Sequence, residues 1–438
     1  MNKKLLLAGI AGILSLATAC KKDDPSPKPT PTPTPQPGFT IEAKTTSLLQ
    51  FDTVRLSAQG AKADAKLTWV VNGKEVAEGK DYAFTQPRTG SYKVDLVDKR
   101  NGGKVSKDFS VAARFTSGAF LLNEGNMSNE TGTLTYIDAS KKFVLDSAYI
   151  RVNGTKLGNV CQDMAFANGK VYILSQNGPK NGGEGMLTIA DAKTLEKIKI
   201  INDPKTAADW PTHIAVVNGR IYLRGNSGIY SGTEDGRFNL IPGTDKANKL
   251  RMATIGDLVV ATTSTKKLLV LQDGQVKQTF ALPEGSPSGL ALAPNGQLWL
   301  SYSEPNTLAK LSVSASEVKI LEKHTTTQSL SKGWTATSAI FAQDNQIFFT
   351  EQKPVIYRHD FSKNETKEIV DILKLDSEAK IYYNSLGVDP KTGHIYFASF
   401  GDWGTYKKNI TLVLNPDGSL LFKREKVNAF PAGFYFIP

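Results

Sequence analysis

Hydrophobic and polar residues alternate in short runs along most of the chain after Gly38. Between residues 39 and 113 the runs are FTIEAK, TVRLSAQ, KLTWVVNGKEV, YAFTQ, GSYKVDLVD and KDFSVAA. Asn72-Gly73 and Asn101-Gly102-Gly103 stand where hairpin turns are expected. A period of two predicts half-buried strands, and the length of this region suits a small β-sandwich over residues 39–114 with Trp69 in its core.

This first region resembles the PKD and immunoglobulin-like modules of bacterial surface proteins. The WDFGDG turn that is typical of PKD domains is replaced here by Trp69-Val70-Val71-Asn72-Gly73. The resemblance implies a spacer, with adhesion as an alternative role.

An internal repeat begins at about Gly118. Each unit has an apolar strand, a turn that is usually rich in Gly, Asn or Asp, and a second apolar strand that ends in a polar loop. The matching segments are Met164–Gln176, Ile214–Asn226, Met252–Ser264, Leu290–Glu304, Ala339–Gln352 and Leu386–Asp402. Their spacing of roughly 40 to 50 residues predicts four-stranded propeller blades.

Two incomplete units stand at the ends of this region. Pro431–Phe436 has the pattern of a first strand without the rest of its unit, and Gly118–Glu124 has the pattern of a second strand without its first. Pairing these strands closes the ring and removes its open sheet edges. We therefore predict an all-β protein, with the sandwich followed by a seven-bladed β-propeller over residues 115–438; six and eight blades are the alternatives.

The first twenty residues have the pattern of a secretory signal. Lys3 and Lys4 precede an apolar run, and small residues lead to Cys20, which predicts a signal peptide over residues 1–19. The ending resembles a bacterial lipobox, in which Cys20 is lipidated. Ordinary cleavage near Ala19, with Cys20 incidental, is the alternative.

A tether over residues 20–38 follows the predicted lipidation site. It starts with Lys-Lys-Asp-Asp and continues as PSPKPTPTPTPQPG, which favours an extended polyproline II spacer. The Lys-Asp-Asp sequence resembles the export signal of surface lipoproteins in Bacteroides-type bacteria. The predicted location is the outer face of the outer membrane.

Composition narrows the function classes. The 438 residues carry 53 Lys and Arg against 42 Asp and Glu, a formal charge of +11 that is spread along the chain. A positive charge that is spread along the chain in this way is typical of a solvated surface. Nucleic acid is therefore not an expected partner. Two cysteines exclude a disulfide framework. If Cys20 is acylated, Cys161 is the one remaining thiol, and its apolar surroundings favour a core position.

One face of a propeller carries the loops between second and third strands and the segments that lead into the innermost strands. In this sequence those loops and leads contain amides, aromatic residues and two arginines. Planar rings and amides suit a bulky, partly planar ligand, because stacking supplies contact area and amides fix orientation. Packing between blades is the alternative role for each aromatic residue. The candidate ligand-binding residues are Asn123, Glu124, Asn126, Gln176, Asn177, Trp210, Arg224, Arg251, Tyr302, Trp334, Tyr382, Tyr383 and Trp403.

Catalytic motifs do not emerge from the sequence. The four histidines share no metal-ligand spacing, and no GxSxG elbow or phosphate-binding Gly loop is present. We predict no enzyme activity, no cofactor and no metal site. The alternative is a Ca²⁺-dependent lactonase with the acids Glu124, Asp163, Asp209, Glu304, Glu351 and Asp402 around a channel mouth.

The start of the repeat region carries a more specific resemblance. Leu121-Leu122-Asn123-Glu124-Gly125-Asn126 and the following Gly132–Asp138 resemble the opening of a YVTN-type propeller family of surface lipoproteins in Bacteroides-type bacteria. Its best understood members bind cobalamin above a TonB-dependent transporter. The resemblance implies capture of a ligand, such as cobalamin or another corrinoid, and its transfer to such a transporter; a protein-binding adhesin is the alternative.

Overall fold

The computed structural model describes residues 38–438 except 203–208, 283–284, 334–336, 352, 381–383, 400, 403, 405–408 and 428–429. The predicted signal peptide, the predicted lipidation site Cys20 and the predicted tether up to residue 37 lie outside this part. In the described part, no helix combines the length and the apolar character needed to cross a bilayer.

The N-terminal domain is a two-sheet sandwich. Its strands are β1 (Thr40–Ala43), β2 (Ser47–Leu49), β3 (Thr53–Gln59), β4 (Leu67–Val71), β5 (Lys74–Glu78), β6 (Asp81–Thr85), β7 (Gly90–Asp98) and β8 (Gly103–Ala112). One sheet has the order β1-β3-β6 and the other β2-β8-β7-β4-β5. Trp69 is fully buried between them and donates from its indole Nε1 to Gly79 O at 3.0 Å, as expected for the predicted core residue.

Seven four-stranded sheets follow. The first three blades contain β9 (Ala119–Asn123), β10 (Thr133–Ile137) and β11 (Val144–Leu145); β12 (Cys161–Ala167), β13 (Lys170–Ser175), β14 (Leu187–Asp191) and β15 (Lys197–Ile201); and β16 (His213–Val217), β17 (Arg220–Gly225), β18 (Gly228–Gly232) and β19 (Phe238–Leu240). A short helix, α1 (Ala148–Asn153), joins the first two blades, and a 3₁₀ turn covers Lys180–Gly182.

The remaining blades continue the same order. They contain β20 (Ala253–Ile255), β21 (Leu258–Thr262), β22 (Lys267–Gln272) and β23 (Gln275–Ala281); β24 (Pro287–Leu292), β25 (Leu298–Ser303), β26 (Asn306–Val313) and β27 (Val318–Thr325); β28 (Ile340–Gln343), β29 (Gln346–Thr350), β30 (Val355–Asp360) and β31 (Glu365–Asp371); and β32 (Leu386–Val388), β33 (Ile395–Ser399), β34 (Asn409–Leu414) and β35 (Leu420–Val427). A second 3₁₀ turn covers Ile372–Lys374.

The last strand, β36 (Pro431–Phe436), completes the first blade. It pairs antiparallel with β9, so that this sheet has the order β11-β10-β9-β36. Phe434 and Tyr435 of β36 are buried. The predicted all-β fold with a ring closed by the C-terminal strand is confirmed, and the number of blades is seven.

The propeller has two faces, and different connections between strands lie on each. Leads into the innermost strands and loops between second and third strands lie on one face, which we call the upper face; the turns between third and fourth strands lie on the other, the lower face. Alternating apolar residues of each sheet are buried against neighbouring sheets, as with Leu300 and Val260 between blades 4 and 5. Polar residues at the strand ends are therefore concentrated at the two faces.

The sandwich packs against the lower face and outer edge of blades 1 and 2. Gln50, fully buried, donates from Nε2 to Thr194 O at 3.0 Å in the turn between β14 and β15. Phe115 N donates to Lys193 O at 3.0 Å in the same turn, and Arg88 Nε donates to Val152 O in α1 at 3.3 Å. These contacts are on the side of the ring away from the upper face.

A hydrogen-bonded histidine pair joins blades 5 and 6. His324 Nδ1 lies 3.0 Å from His359 Nε2, the ring of His324 stacks on Phe361 with centroids 3.8 Å apart, and His359 Nδ1 lies 2.9 Å from Thr366 Oγ1. Burial, with a smaller effect of His324, lowers the pKa of His359 to about 4, against the opposing charge of Asp360. The folded protein thus holds His359 neutral.

We expect this pair to make the propeller sensitive to acid. A lowered folded pKa means that the stabilisation is complete above the usual histidine value of 6.5 and is lost as the pH falls from 6.5 towards 4. His359→Gln keeps a hydrogen-bonding side chain without a titrating group, so its unfolding free energy should fall less over that interval. Urea unfolding at pH 7, 6, 5 and 4.5 measures the difference; identical pH dependence in both proteins would refute this role.

Candidate functional site

An ion pair between a largely buried arginine and a buried aspartate lies among the innermost strands of the ring. Arg251, in the lead to β20, places Nε 3.3 Å from Oδ1 of Asp163 on β12, and the Tyr435 hydroxyl donates to the same oxygen at 2.6 Å. Oδ2 of Asp163 accepts from Ile214 N at 3.0 Å. The guanidinium lies 4.4 Å from the centroid of the Tyr435 ring. Residues from blades 1, 2, 3 and 4 therefore meet at one point.

The charges at this point are balanced internally. Burial raises the pKa of Asp163, and the guanidinium of Arg251 together with donors from Tyr435 and the backbone opposes that rise. Burial also raises the pKa of Tyr435 well above its usual value. Arg251, predicted as a ligand contact, is thus engaged by protein groups and forms the floor below the upper face.

A backbone hydrogen bond connects the lead of blade 4, which carries Arg251, to the lead of blade 6. The backbone N of Arg251 donates to Thr337 O, in the lead to β28 of blade 6, at 3.0 Å. A Cβ on Gly433 would lie 2.9 Å from Nη2 of Arg251 and 3.2 Å from Cγ2 of Thr337, so the C-terminal strand also needs glycine there. The leads of blades 4 and 6 consequently lie side by side on the upper face.

A cleft of about 450 Å³ opens on the upper face between blades 2 and 3. It is lined by Gln176, Asn177, Gly178, Pro179, Lys180, Met186, Asn202, Asp209, Trp210 and Pro211. Three of the predicted ligand-binding residues, Gln176, Asn177 and Trp210, are therefore brought together. The cleft mixes an aromatic ring, a thioether, amides and a cation.

Trp210 is the most exposed tryptophan among the described residues, with 55% of its surface accessible. Its backbone is left-handed, at a φ of 50°, a conformation that costs a bulky residue about 1–3 kcal/mol and that occurs both in tight turns and at functional sites. Exposure and strain together are unfavourable for a residue with only a structural role. The alternative of Trp210 packed between blades is not what the structure shows.

Hydrogen bonds to Asp209 hold this segment in place. Its carboxylate accepts from Ser227 Oγ at 2.8 Å and from the Tyr230 hydroxyl at 2.9 Å, and its carbonyl accepts from Asn226 N at 2.9 Å. Partial burial would raise the pKa of Asp209, but these donors outweigh it and lower the pKa. The carboxylate stays charged and holds Trp210, in the lead to β16, against the loop that follows β17.

Amides of the neighbouring loops are largely used within the protein. Asn126 Oδ1 accepts from the backbone N of Ser128 and of Asn129, both at 2.9 Å. Asn177 Nδ2 donates to Oδ1 of the buried Asn159 at 2.8 Å, and Asn159 Nδ2 donates to Asn126 O at 2.7 Å. This network joins the loops of blades 1 and 2, so Asn126 and Asn177 shape the upper face through protein contacts.

Two predicted contacts are corrected by their burial. Tyr302 is 1% exposed and packs in the apolar core between blades 4 and 5. Asn123 is 1% exposed, and its Nδ2 donates to Thr133 Oγ1 at 3.2 Å within its own sheet. Both belong to the framework of the propeller and do not reach a ligand-accessible surface. Trp334, Tyr382, Tyr383 and Trp403 lie outside the described residues.

Three cations, Arg224, Lys249 and Lys332, lie close enough for the charges of the first two to lower the pKa of Lys332. Arg224, at the end of β17, donates from Nε and Nη2 to Ala247 O at 3.2 and 3.0 Å. Burial lowers the pKa of Arg224, and the charge of Asp209 opposes this. Lys249 follows Ala247 by two residues, and Lys332 lies in the lead of blade 6. Sequence reasoning included Arg224 but missed both lysines.

The acids proposed for a metal ring are dispersed over separate contacts. Asp163 pairs with Arg251, Asp209 is held by Ser227 and Tyr230, and Glu351 accepts from Ser329 N at 2.8 Å. Among the described residues, no three His, Cys, Asp or Glu side chains are grouped so as to hold a metal ion. Glu124 instead lies close enough to Lys249 for its charge to raise the pKa of that lysine.

Comparison with solved structures places the fold among known propellers. A "quinonprotein alcohol dehydrogenase-like protein" from Bacteroides thetaiotaomicron matches with a TM-score of 0.62 at 17% identity, covering 91% of this chain and 99% of that one. A protein from Lactobacillus plantarum matches with a TM-score of 0.51 at 11% identity, covering 74% and 100%. At these identities the likeness shows the fold alone.

Sequence comparison assigns the two domains to family models. None of the curated proteins matches the chain. Residues 29–110 match the model described as the Penicillin-Binding Protein C-terminus Family. Residues 117–437, which make up the whole propeller, match the model described as a domain of unknown function, DUF5074. The chain belongs to the DUF5074 family.

Proposed function

We propose that this protein is a lipid-anchored surface protein whose upper face captures a corrinoid, such as cobalamin, and transfers it to a TonB-dependent outer-membrane transporter without chemical turnover. The observation that carries ligand capture is Trp210, exposed and held in a strained backbone at the edge of an open cleft. An aromatic ring fixed in this way offers stacking area to a planar group at little entropic cost.

The shape of the upper face fits one edge of such a ligand. A whole corrinoid is larger than the cleft of about 450 Å³, so the cleft would hold a peripheral part while the macrocycle covers the neighbouring mouth. Gln176 and Lys180 provide hydrogen-bonding groups for peripheral amides at the same edge. The closed floor at Arg251 keeps the ligand on the surface, from which it can be passed to a partner.

The position of the sandwich is compatible with this role. It contacts the lower face, and its N-terminal end leads back to the tether and to Cys20, the lipidation site that the sequence predicts. Pro25–Gly38 in polyproline II conformation would span roughly 3.1 Å per residue, or some tens of Å. The proposed anchor therefore holds the domains away from the membrane and leaves the upper face open to ligand.

Trp210→Ala should weaken corrinoid binding at least about tenfold, as expected for an aromatic anchor at the centre of a binding surface. Leu321→Ala is the matched control, since Leu321 on β27 is 54% exposed and lies away from the cleft. Isothermal titration calorimetry with cobalamin and with cobinamide at micromolar protein measures both variants. Absence of binding heat in the unmodified protein, or equal affinities for the protein and its Trp210→Ala variant, would overturn the proposal.

A further inference from the structure

We propose that Arg224, Lys249 and Lys332 form a subsite on the upper face that binds the phosphate group of a small ligand. The subsite adds a phosphate contact to the proposed capture of a corrinoid. Its role beside the corrinoid cleft therefore rests on that proposed function. It concerns a different set of residues from Trp210 and its neighbours. Its binding chemistry can be tested without a corrinoid.

The backbone brings the three cations together from different blades. The bonds from Arg224 to Ala247 O place its guanidinium against the lead of blade 4, two residues before Lys249. The bond from Arg251 N to Thr337 O draws the lead of blade 6, which contains Lys332, alongside the lead of blade 4. The segments that carry the three cations are thus brought together, and the charges of Lys249 and Arg224 reach Lys332.

Their charges are incompletely compensated. Burial lowers the pKa of Lys332, and the charges of Lys249 and Arg224 lower it further. Partial desolvation lowers the pKa of Lys249, and Arg224 adds to this while Glu124 opposes it. Within the part of the chain that the structure describes, neither lysine ammonium makes an ion pair or a hydrogen bond. Three cations opposed by the charges of Glu124 and Asp209 leave a net positive charge, which favours binding of an anion.

The two lysine ammonium groups are the donors that can contact a phosphate. Arg224 uses Nε and Nη2 on Ala247 O and Nη1 on Thr212 Oγ1 at 3.4 Å, so it contributes its charge to the subsite and neither edge of its guanidinium is free for a two-point contact. Two ammonium groups act as point charges that can approach different oxygens of a phosphate. Asp209 is close enough to raise the pKa of Arg224, which places the subsite beside the segment that carries Trp210.

The test uses the full chain and inorganic pyrophosphate at low ionic strength in a phosphate-free buffer. Calorimetry should show binding to the unmodified protein, and Lys249→Gln/Lys332→Gln should weaken it at least about tenfold, because two charges near the anion are lost. The matched control is Lys319→Gln/Lys367→Gln. It removes the same net charge from two lysines that are exposed on outer strands. The control should bind pyrophosphate as the unmodified protein does.

Failure of the subsite is distinguishable from failure of corrinoid capture. No pyrophosphate binding by the unmodified protein, or equal binding by the Lys249→Gln/Lys332→Gln variant, overturns the subsite. If corrinoids bind as well, cobalamin, which carries a phosphodiester, should lose affinity in that variant, whereas cobinamide, which lacks the nucleotide, should not. Pyrophosphate binding without corrinoid binding would keep the subsite and overturn the corrinoid proposal.

Discussion

Arg251→Met is expected to destabilise the propeller by about 3–5 kcal/mol, because it leaves Asp163 buried without its counter-charge. Asp163 is 1% exposed at its side chain, and the remaining donors, Tyr435 and Ile214 N, are neutral. Met fills much of the volume of the Arg side chain, so the effect should come mainly from charge. Urea unfolding of the propeller transition measures the change in free energy.

Two further variants separate the charge effect from packing. Adding Asp163→Asn to Arg251→Met removes the uncompensated carboxylate and should restore part of the lost stability. Arg237→Met is the matched control, since its ion pair with Asp235 at 3.1 Å is exposed and should contribute less than about 1 kcal/mol. Equal losses for Arg251→Met and Arg237→Met would show that the ion pair does not stabilise the ring.

Deletion of residues 431–438 should abolish folding of the propeller. The deletion removes β36, which pairs with β9 along its length, together with the buried Phe434, Tyr435 and Ile437. Loss of large core side chains costs about 3–5 kcal/mol each, and domains are stable by only about 5–15 kcal/mol. The exposed edge of β9 would also favour aggregation.

Size-exclusion chromatography and near-UV circular dichroism test the truncated chain. We expect aggregation or loss of the tertiary signal, and partial recovery when a peptide of residues 429–438 is added during refolding. A monomeric truncated protein with the unmodified near-UV spectrum would contradict ring closure by the C-terminal strand.

The closed ring could be predicted because its signal is local. Six complete units and two incomplete ones are visible as alternating apolar residues and turn residues, and closure follows from the need to pair strand edges. The pairing of Pro431–Phe436 with β9 confirms this prediction. The sandwich could be predicted from the sequence for the same reason, because the alternation of apolar and polar residues around Trp69 indicates a sheet with one buried face.

The site was harder to predict, because it depends on contacts between distant segments. Tyr302 lies near the end of a strand, where sequence does not show whether a side chain faces the neighbouring blade or the loop, and it faces the blade. Asp163 was considered only as a metal-ring acid, because its partner Arg251 lies two blades away. The segments that carry Lys249 and Lys332 are joined by the hydrogen bond from Arg251 N to Thr337 O, which no sequence periodicity reveals.

The central claim is that the upper face of the propeller is the capture surface, and amide hydrogen exchange with and without cobalamin tests it most directly. We expect slower exchange with cobalamin at residues 176–180, 209–211 and 247–251, and unchanged exchange in the sandwich strands over residues 40–112. Unchanged exchange throughout the upper face, or slowing confined to the sandwich or to the lower-face turn at residues 192–196, would contradict it.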